Sequence, residues 1–378
     1  YLNWISSSSS FQKPSEDSDL LKSLFQFERT SVRSIKDFME YIVYKTKFEF
    51  KAKKQRLSDV EIQQCLEYAY PLIQNGFPVI YNTSHFSKLV GIRKVYIKRA
   101  AIYTKSYYRN FIISKRNGKP REISEPLPNL KLIQDFILKS ILEMAGVSVF
   151  AKAYKRKSNI LENIKFHVRQ QKVLTLDIKD FFSSINREDV YLIFLKIGYS
   201  ELLSDLFSKL CTLNNKLPQG ASTSPYLSNL FMFNFDNIVA DYCLPKNIKF
   251  TRYADDLTFS GEFNHDLLID FVREQLSLFN LELNDSKTKV MLPNQRQIVT
   301  GVVVNQIPQI PRKERLKIRQ EIYYIKTKTL DSHLREAKIT QRNYLYHLYG
   351  KISYAVFLQP TDKELLEYKE YIKSLINK

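Results

Sequence analysis

Apolar residues recur every three or four positions after Ser58, where Ile62, Cys65, Leu66, Ala69 and Ile73 fall on one face, and this spacing predicts a helix. Ser58 is placed to cap its first turn while Glu61 reaches back to the Ser58 amide, and Asn75 with Gly76 is placed to end it. A second amphipathic helix is expected from Leu130 to Met144, through Leu130, Ile133, Phe136, Ile137 and Ile141. Elsewhere the pattern is that of strands. Tyr108 to Lys115 and the stretch from Arg116 through Arg121 predict a β-hairpin with Asn117 and Gly118 at its turn, projecting Lys115, Lys119 and Arg121 together. Val173 to Asp177 is an apolar strand ending in a carboxylate, and Phe250 to Phe259 is a β-rich stretch broken at its middle by Asp255 and Asp256. Gln297 to Asn305 is another, with Gly301 at its centre, where a missing side chain permits close backbone approach. After it Ile318, Ile322 and Ile325 share one helical face, while Arg312, Arg315, Arg319 and Lys326 share another. The opening residues, with serines from Ser6 to Ser10, show no apolar periodicity, and helical character begins at about Asp19.

Composition narrows the class. The chain has 378 residues, 44 % of them hydrophobic and 13 % aromatic, which excludes a collagen-like or largely disordered protein. No stretch approaches the ~18 uncharged apolar residues of a membrane span, and no signal-peptide pattern is seen, so a soluble cytoplasmic protein without a membrane partner is expected. Cys65, Cys211 and Cys243 are far apart, which argues against a disulfide scaffold or a zinc site; a metal, if used, would be held by oxygen. The formal net charge is +19, as 58 Lys and Arg outnumber 39 Asp and Glu. From Arg93 to Arg121 the charged residues are all basic and are interleaved with Tyr96, Tyr103, Tyr107, Tyr108 and Phe111. Cations for phosphates and rings for bases or sugars suit a nucleic-acid surface.

Asp255 beside Asp256 is costly unless a divalent cation sits there. Asp177 at the end of another strand brings the count to the roughly three carboxylates that two-metal phosphoryl transfer requires. Asp180 is either a further ligand or the cap of the turn where Phe181 and Phe182 begin.

At this point a resemblance becomes specific. Tyr253-Ala-Asp-Asp256 resembles the Y-x-D-D box of reverse transcriptases, and the Asp177 segment resembles their motif A. Arg121 with Ile123 and Pro126 is similar to the fingers motif that grips the nucleoside triphosphate, and Lys115 on the same hairpin is counted with it. Leu217 to Pro225, containing Gln219 and Gly220, resembles motif B, and Leu283 to Thr288 resembles motif D. Small residues around Gly220 would let backbone approach the nucleotide. The resemblance implies that Phe182 faces the sugar and selects deoxynucleotides, and that Lys287 assists the leaving pyrophosphate. Val299, Thr300 and Gly301 look like the Val-Thr-Gly box of retron reverse transcriptases, and Asn163 with His167 is similar to their N-A-x-x-H box, with Ile164 in place of alanine. Asn163 and His167, one helical turn apart, are placed to bond RNA or each other.

The resemblance implies an α+β right-hand polymerase with an α-helical N-terminal extension. Its expected parts are the extension with a flexible start (1–75), fingers (76–149), an antiparallel-sheet palm with inserted fingers elements (150–298), and a primer-grip strand with a helical thumb (299–378). It implies an RNA-directed DNA polymerase using two Mg²⁺ ions at Asp177, Asp255 and Asp256 and taking deoxynucleoside triphosphates. A cognate noncoding RNA would be template and primer, the product a branched RNA–DNA molecule (msDNA) begun from an internal 2′-OH, and the setting a bacterial anti-phage retron with a separate effector. Asn163, His167, the Val299 to Gly301 box and the arginines Arg312, Arg315 and Arg319 are the expected RNA contacts. The rivals are a group II intron-like or other defence-associated reverse transcriptase, and a non-catalytic RNA-binding scaffold, which has no need of three mutually repelling acids.

Overall fold

A computed structural model describes residues 39–377 apart from 115–117, 119, 329, 337–339 and 341. Helical residues 39–54 lead into the helix Asp59–Gln74, where Ser58 and Glu61 form the expected reciprocal cap and Asn75 ends it. Ala52, Ile62 and Leu66 make a small core between the two.

The strands β1 (Tyr108–Ser114) and β2 (Pro120–Pro126) form the expected antiparallel hairpin, with Ile113 opposite Arg121. Its turn at Asn117, with Lys115 and Lys119, lies outside the described residues. The following helix is Pro128–Ser140; the last part of the expected helix is instead a separate 3-10 turn, Leu142–Met144.

At the centre is a four-stranded antiparallel sheet made of β3 (Val173–Asp177), β4 (Lys249–Tyr253), β5 (Asp256–Ser260) and β6 (Lys289–Met291), in the spatial order β4-β5-β3-β6. Because strand side chains alternate, the sheet has two distinct faces. Leu174, Leu176, Phe250, Leu257 and Phe259 point into the large core, shared with the helices Arg187–Ile197, Glu201–Cys211, Phe233–Cys243 and His265–Leu278. On the other face Thr251, Thr258 and Ser260 are buried polar groups, and Val173 joins a second core.

That second core belongs to the C-terminal helices. Ile318, Ile322 and Ile325 of Arg312–Lys328 pack with Leu348 and Ile352 of Tyr344–Leu358 and with Leu365 and Ile372 of Lys363–Ile376. The short strands β7 (Ile298–Val299) and β8 (Val302–Val303) join them to the sheet edge. Among the described residues no helix is long and apolar enough to cross a membrane.

Candidate active site

The sheet register brings the three predicted acids together. Asp177, the last residue of β3, pairs with Asp256, the first of β5, and Asp255 occupies the turn between β4 and β5. That turn is tight enough to force Ala254 into the left-handed region, at a φ of 60°. The Ile178 amide donates to the Asp255 carbonyl at 3.0 Å, tying the turn to the end of β3. Burial raises the Asp255 pKa above the usual carboxylate range, and the negative charge of Asp177 adds to the effect. Burial also acts on Asp256, and together with the charges of Asp255 and Asp177 it pushes that carboxyl up to about 6. Lys287 opposes both shifts.

Lys287 donates to both carboxylate oxygens of Asp177 at 2.8 Å, and Asn284 donates to one of them at 3.2 Å. Burial disfavours the ammonium, but the carboxylate beside it outweighs that cost and raises its pKa. Asn284 was not among the residues singled out from sequence.

Asp177, Asp255, Asn284 and Lys287 line an open cleft of about 880 Å³ whose other walls include Arg121, Phe182, Gln219 and Tyr154. Phe182 is half-buried and packs against Phe181 and Tyr154, at ring-centroid distances of 5.6 and 6.2 Å. Tyr154, also not anticipated from sequence, sits at a φ of 62°. Gly220 is required by a contact other than the one expected: a Cβ there would lie 2.6 Å from the Ser124 carbonyl oxygen of β2. The Ser124 amide also donates to the Gln219 carbonyl at 2.7 Å, so the small residue lets the hairpin dock on this segment. Asp180 does not cap Phe181 through its side chain; its backbone is left-handed, and its carbonyl accepts from the Ser183 and Ser184 hydroxyls.

The donor set fits a hard divalent cation, since all the groups are carboxylate oxygens and two of them are raised in pKa by burial and then by the neighbouring carboxylates. Among the described residues no three acidic, histidine or cysteine side chains are already gathered as a finished metal site, and Asp177 is turned onto Lys287. Loading a cation on Asp177 requires that the ammonium give way.

Residues 113–340 match the family described as reverse transcriptase (RNA-dependent DNA polymerase). The Retron Ec86 reverse transcriptase of Escherichia coli is 33 % identical over 256 residues, which cover 66 % of this chain and 80 % of that protein. The chain belongs to the retron reverse transcriptases. Two further relatives are the Retron Se72 enzyme of Salmonella heidelberg, 29 % identical over 67 % of this chain and 69 % of its own, and the Retron Ec83 enzyme of Escherichia coli, 28 % identical over 72 % and 89 %. A solved telomerase structure from Candida albicans aligns more loosely, with a TM-score of 0.41 and 12 % identity over 70 % of this chain and 63 % of that one. This reverse transcriptase is an RNA-directed DNA polymerase with the right-hand fold of its family, it copies an RNA template, and its domain is of a kind that works with divalent metal ions.

Several of the expected RNA contacts in this retron enzyme have other partners. His167 is fully buried: its Nδ1 lies 2.7 Å from the Ser260 hydroxyl and its Nε2 2.8 Å from that of Thr251, so both ring nitrogens are engaged in bracing the polar face of the sheet. Asn163 is equally buried and bonds the Thr300 hydroxyl at 3.4 Å rather than His167. Val299 is core. Thr300 and Gly301 are not mid-strand residues; at φ values of 46° and 87° they form the two-residue turn between β7 and β8. Arg315 is committed to Asp362 and to Glu364, the latter at 2.6 Å, and Arg319 bonds Glu364 at 2.8 Å, so this face of the helix is stapled to Lys363–Ile376. Arg312 remains exposed.

Proposed function

We propose that this reverse transcriptase copies a dedicated structured noncoding RNA, which is both template and primer, into a branched RNA–DNA molecule begun from an internal 2′-OH. The polymerase chemistry rests on one observation: the sheet register gathers Asp177, Asp255 and Asp256 at one end, and Asp177 and Asp255 line a cleft also walled by Arg121, Phe182 and Gln219. The retron product is supported by the relatives named above. In this reading 76–149 act as fingers, 150–298 as palm and 299–378 as thumb, behind an N-terminal extension of 1–75. The setting is a cytoplasmic anti-phage retron with a separate effector.

Asp177, Asp255 and Asp256 would hold two Mg²⁺ ions, which when bound activate the attacking hydroxyl and neutralise charge on the α-phosphate and the leaving pyrophosphate. Arg121 presents its guanidinium fork to the triphosphate of the deoxynucleotide. Phe182, backed by Tyr154, fills the space a ribose 2′-OH would need. Gln219 lines the cleft, with its carbonyl anchored to β2. Lys287, released from Asp177, carries positive charge toward the departing pyrophosphate. Of the thumb residues expected to meet RNA, Arg312 is exposed and the Thr300-Gly301 turn joins β7 to β8, and these are the ones this reading keeps as RNA contacts.

The test is to purify the protein from its host and sequence the nucleic acid that accompanies it. A single structured RNA joined to complementary DNA is expected with the wild type. With Asp255→Asn and Asp256→Asn together the RNA remains and the DNA disappears, because neutral amides do not hold the ions. DNA synthesis at wild-type rate by the double variant refutes the assignment of the acids, and a random RNA population refutes the dedicated template.

A further inference from the structure

The strand leading into the catalytic turn carries a guanidinium with no solvent exposure. Arg252 lies two residues before Ala254, on the face of β4 that otherwise holds Phe250. Its donors are directed at three different segments. Nε and Nη2 lie 2.6 and 2.7 Å from the two oxygens of the equally buried Asp236, in the helix Phe233–Cys243. Nη1 donates to Asn229 Oδ1 at 3.1 Å and to the Ala254 carbonyl at 3.2 Å. Asn229 belongs to the helix Ser224–Phe231, which follows directly on the Gln219 segment, and its own amide donates to the Ala153 carbonyl at 2.9 Å. The Arg252 backbone completes the junction, donating to Phe150 and accepting from Lys152 at 2.9 and 2.7 Å.

Stability does not account for this arrangement. A fully buried ion pair is commonly no more stabilising than a well-packed apolar pair, whereas a fork with several acceptors fixes geometry. The geometry fixed here is that of the cleft: on one side the Ala254 turn that bears Asp255, strained in the left-handed region, and on the other the 150–154 loop whose Tyr154 backs Phe182. We propose that Arg252, with Asp236 and Asn229, is a positioning device that holds the Asp255 turn and the Tyr154 loop in register with the Gln219 segment. The proposal rests on the reading of Asp255 as a catalytic acid.

Two variants test it. The volume-matched neutral pair Arg252→Met with Asp236→Leu leaves no unpaired buried charge, so the fold is expected to hold. Arg252→Lys keeps a charge opposite Asp236, but one ammonium does not also span Asn229 and Ala254. Each is measured for thermal midpoint, for binding of an annealed RNA template and DNA primer, for single-nucleotide extension, and for amide hydrogen exchange. The expected result is near-wild-type melting and binding, a fall in kcat of about tenfold to a hundredfold with KM changing far less, and faster exchange confined to 150–154, 253–257 and Ile178. Wild-type kcat in either folded variant overturns the proposal, as does faster exchange spread evenly through the chain. If the neutral pair does not fold, Arg252→Lys decides alone. Asp255→Asn runs beside them: if it polymerises normally, the reading of Asp255 has failed, whereas if it is inactive while the Arg252 variants are normal, only the positioning proposal has failed.

Discussion

His167 links the acidity of the solution to the stability of the palm sheet. Burial, with the positive charge of Lys152 as a lesser cause, pushes its pKa from 6.5 down to about 3. The folded protein therefore keeps the ring neutral at pH values where the unfolded chain takes up a proton. The sign follows directly: the stability is complete above about pH 6.5 and is lost as pH falls toward the folded value. Each pH unit in that window costs about 1.4 kcal/mol, because the unfolded state is favoured by one proton per molecule. Between pH 7.5 and 5.5 the loss attributable to His167 is about 1.4 kcal/mol, since the upper half of the interval lies above the unfolded pKa. His167→Gln keeps an amide to bond Ser260 or Thr251 and does not titrate. Urea unfolding of both proteins at the two pH values isolates the effect, because every other titrating group cancels in the difference. The wild type should lose more stability than the variant by that amount. Parallel losses in the two proteins would refute the argument and would mean that the imidazole is open to water in solution. RNA affinity at pH 7.5 should be the same in both, as a buried brace demands.

Phe182→Ala should raise the use of ribonucleotides relative to deoxynucleotides about tenfold, because a removed clash is worth on the order of 1–3 kcal/mol; an unchanged preference with a lowered melting point would make the ring a packing residue only. Gly220→Ala would set a methyl group 2.6 Å from the Ser124 carbonyl at a φ of 128°, so β2 must shift, and the nucleotide KM should rise about tenfold with little change in kcat. Unchanged kinetics and melting would show that the hairpin is not seated there. Arg315→Ala should lower thermal stability by about 1 kcal/mol, a figure reduced by solvent screening, and should leave RNA affinity within about twofold. A tenfold loss of affinity without a change in melting would return Arg315 to the RNA interface.

What was legible in the sequence was what local pattern controls. The Ser58–Glu61 cap, the β1–β2 hairpin and the carboxylates at strand ends depend on neighbours a few residues away, and the structure contains each of them. The misreadings concern residues whose partners are remote. Helical spacing places Asn163 and His167 on one side, but the chain tightens into a 3-10 turn at Lys165–His167, and the imidazole enters the sheet between Thr251 and Ser260, more than eighty positions onward. Arg319 read as a cation for phosphate because its counter-ion, Glu364, lies 45 residues downstream. Thr300 and Gly301 looked like mid-strand residues since neither announces the positive φ that makes them a turn. One missed signal was present. A lone arginine on the same strand face as Phe250 breaks the apolar alternation just before the acids, and such a break asks for a buried partner.

The staple between the thumb helices also governs how ionic strength acts on this enzyme. Under the proposed reading, fingers cations that hold phosphates would lose affinity as salt rises, because the counterions released on binding are released into a more concentrated solution. The same salt screens Arg319 from Glu364, and to a lesser degree the less exposed Arg315 from Asp362. If the C-terminal helices act as the proposed thumb, both effects would slow synthesis, one by freeing the nucleic acid and the other by loosening that thumb. A salt titration of activity thus overcounts the phosphates that are gripped. Replacing the staple with a neutral, volume-matched set of side chains would remove the second effect and leave a slope that reports the nucleic acid alone.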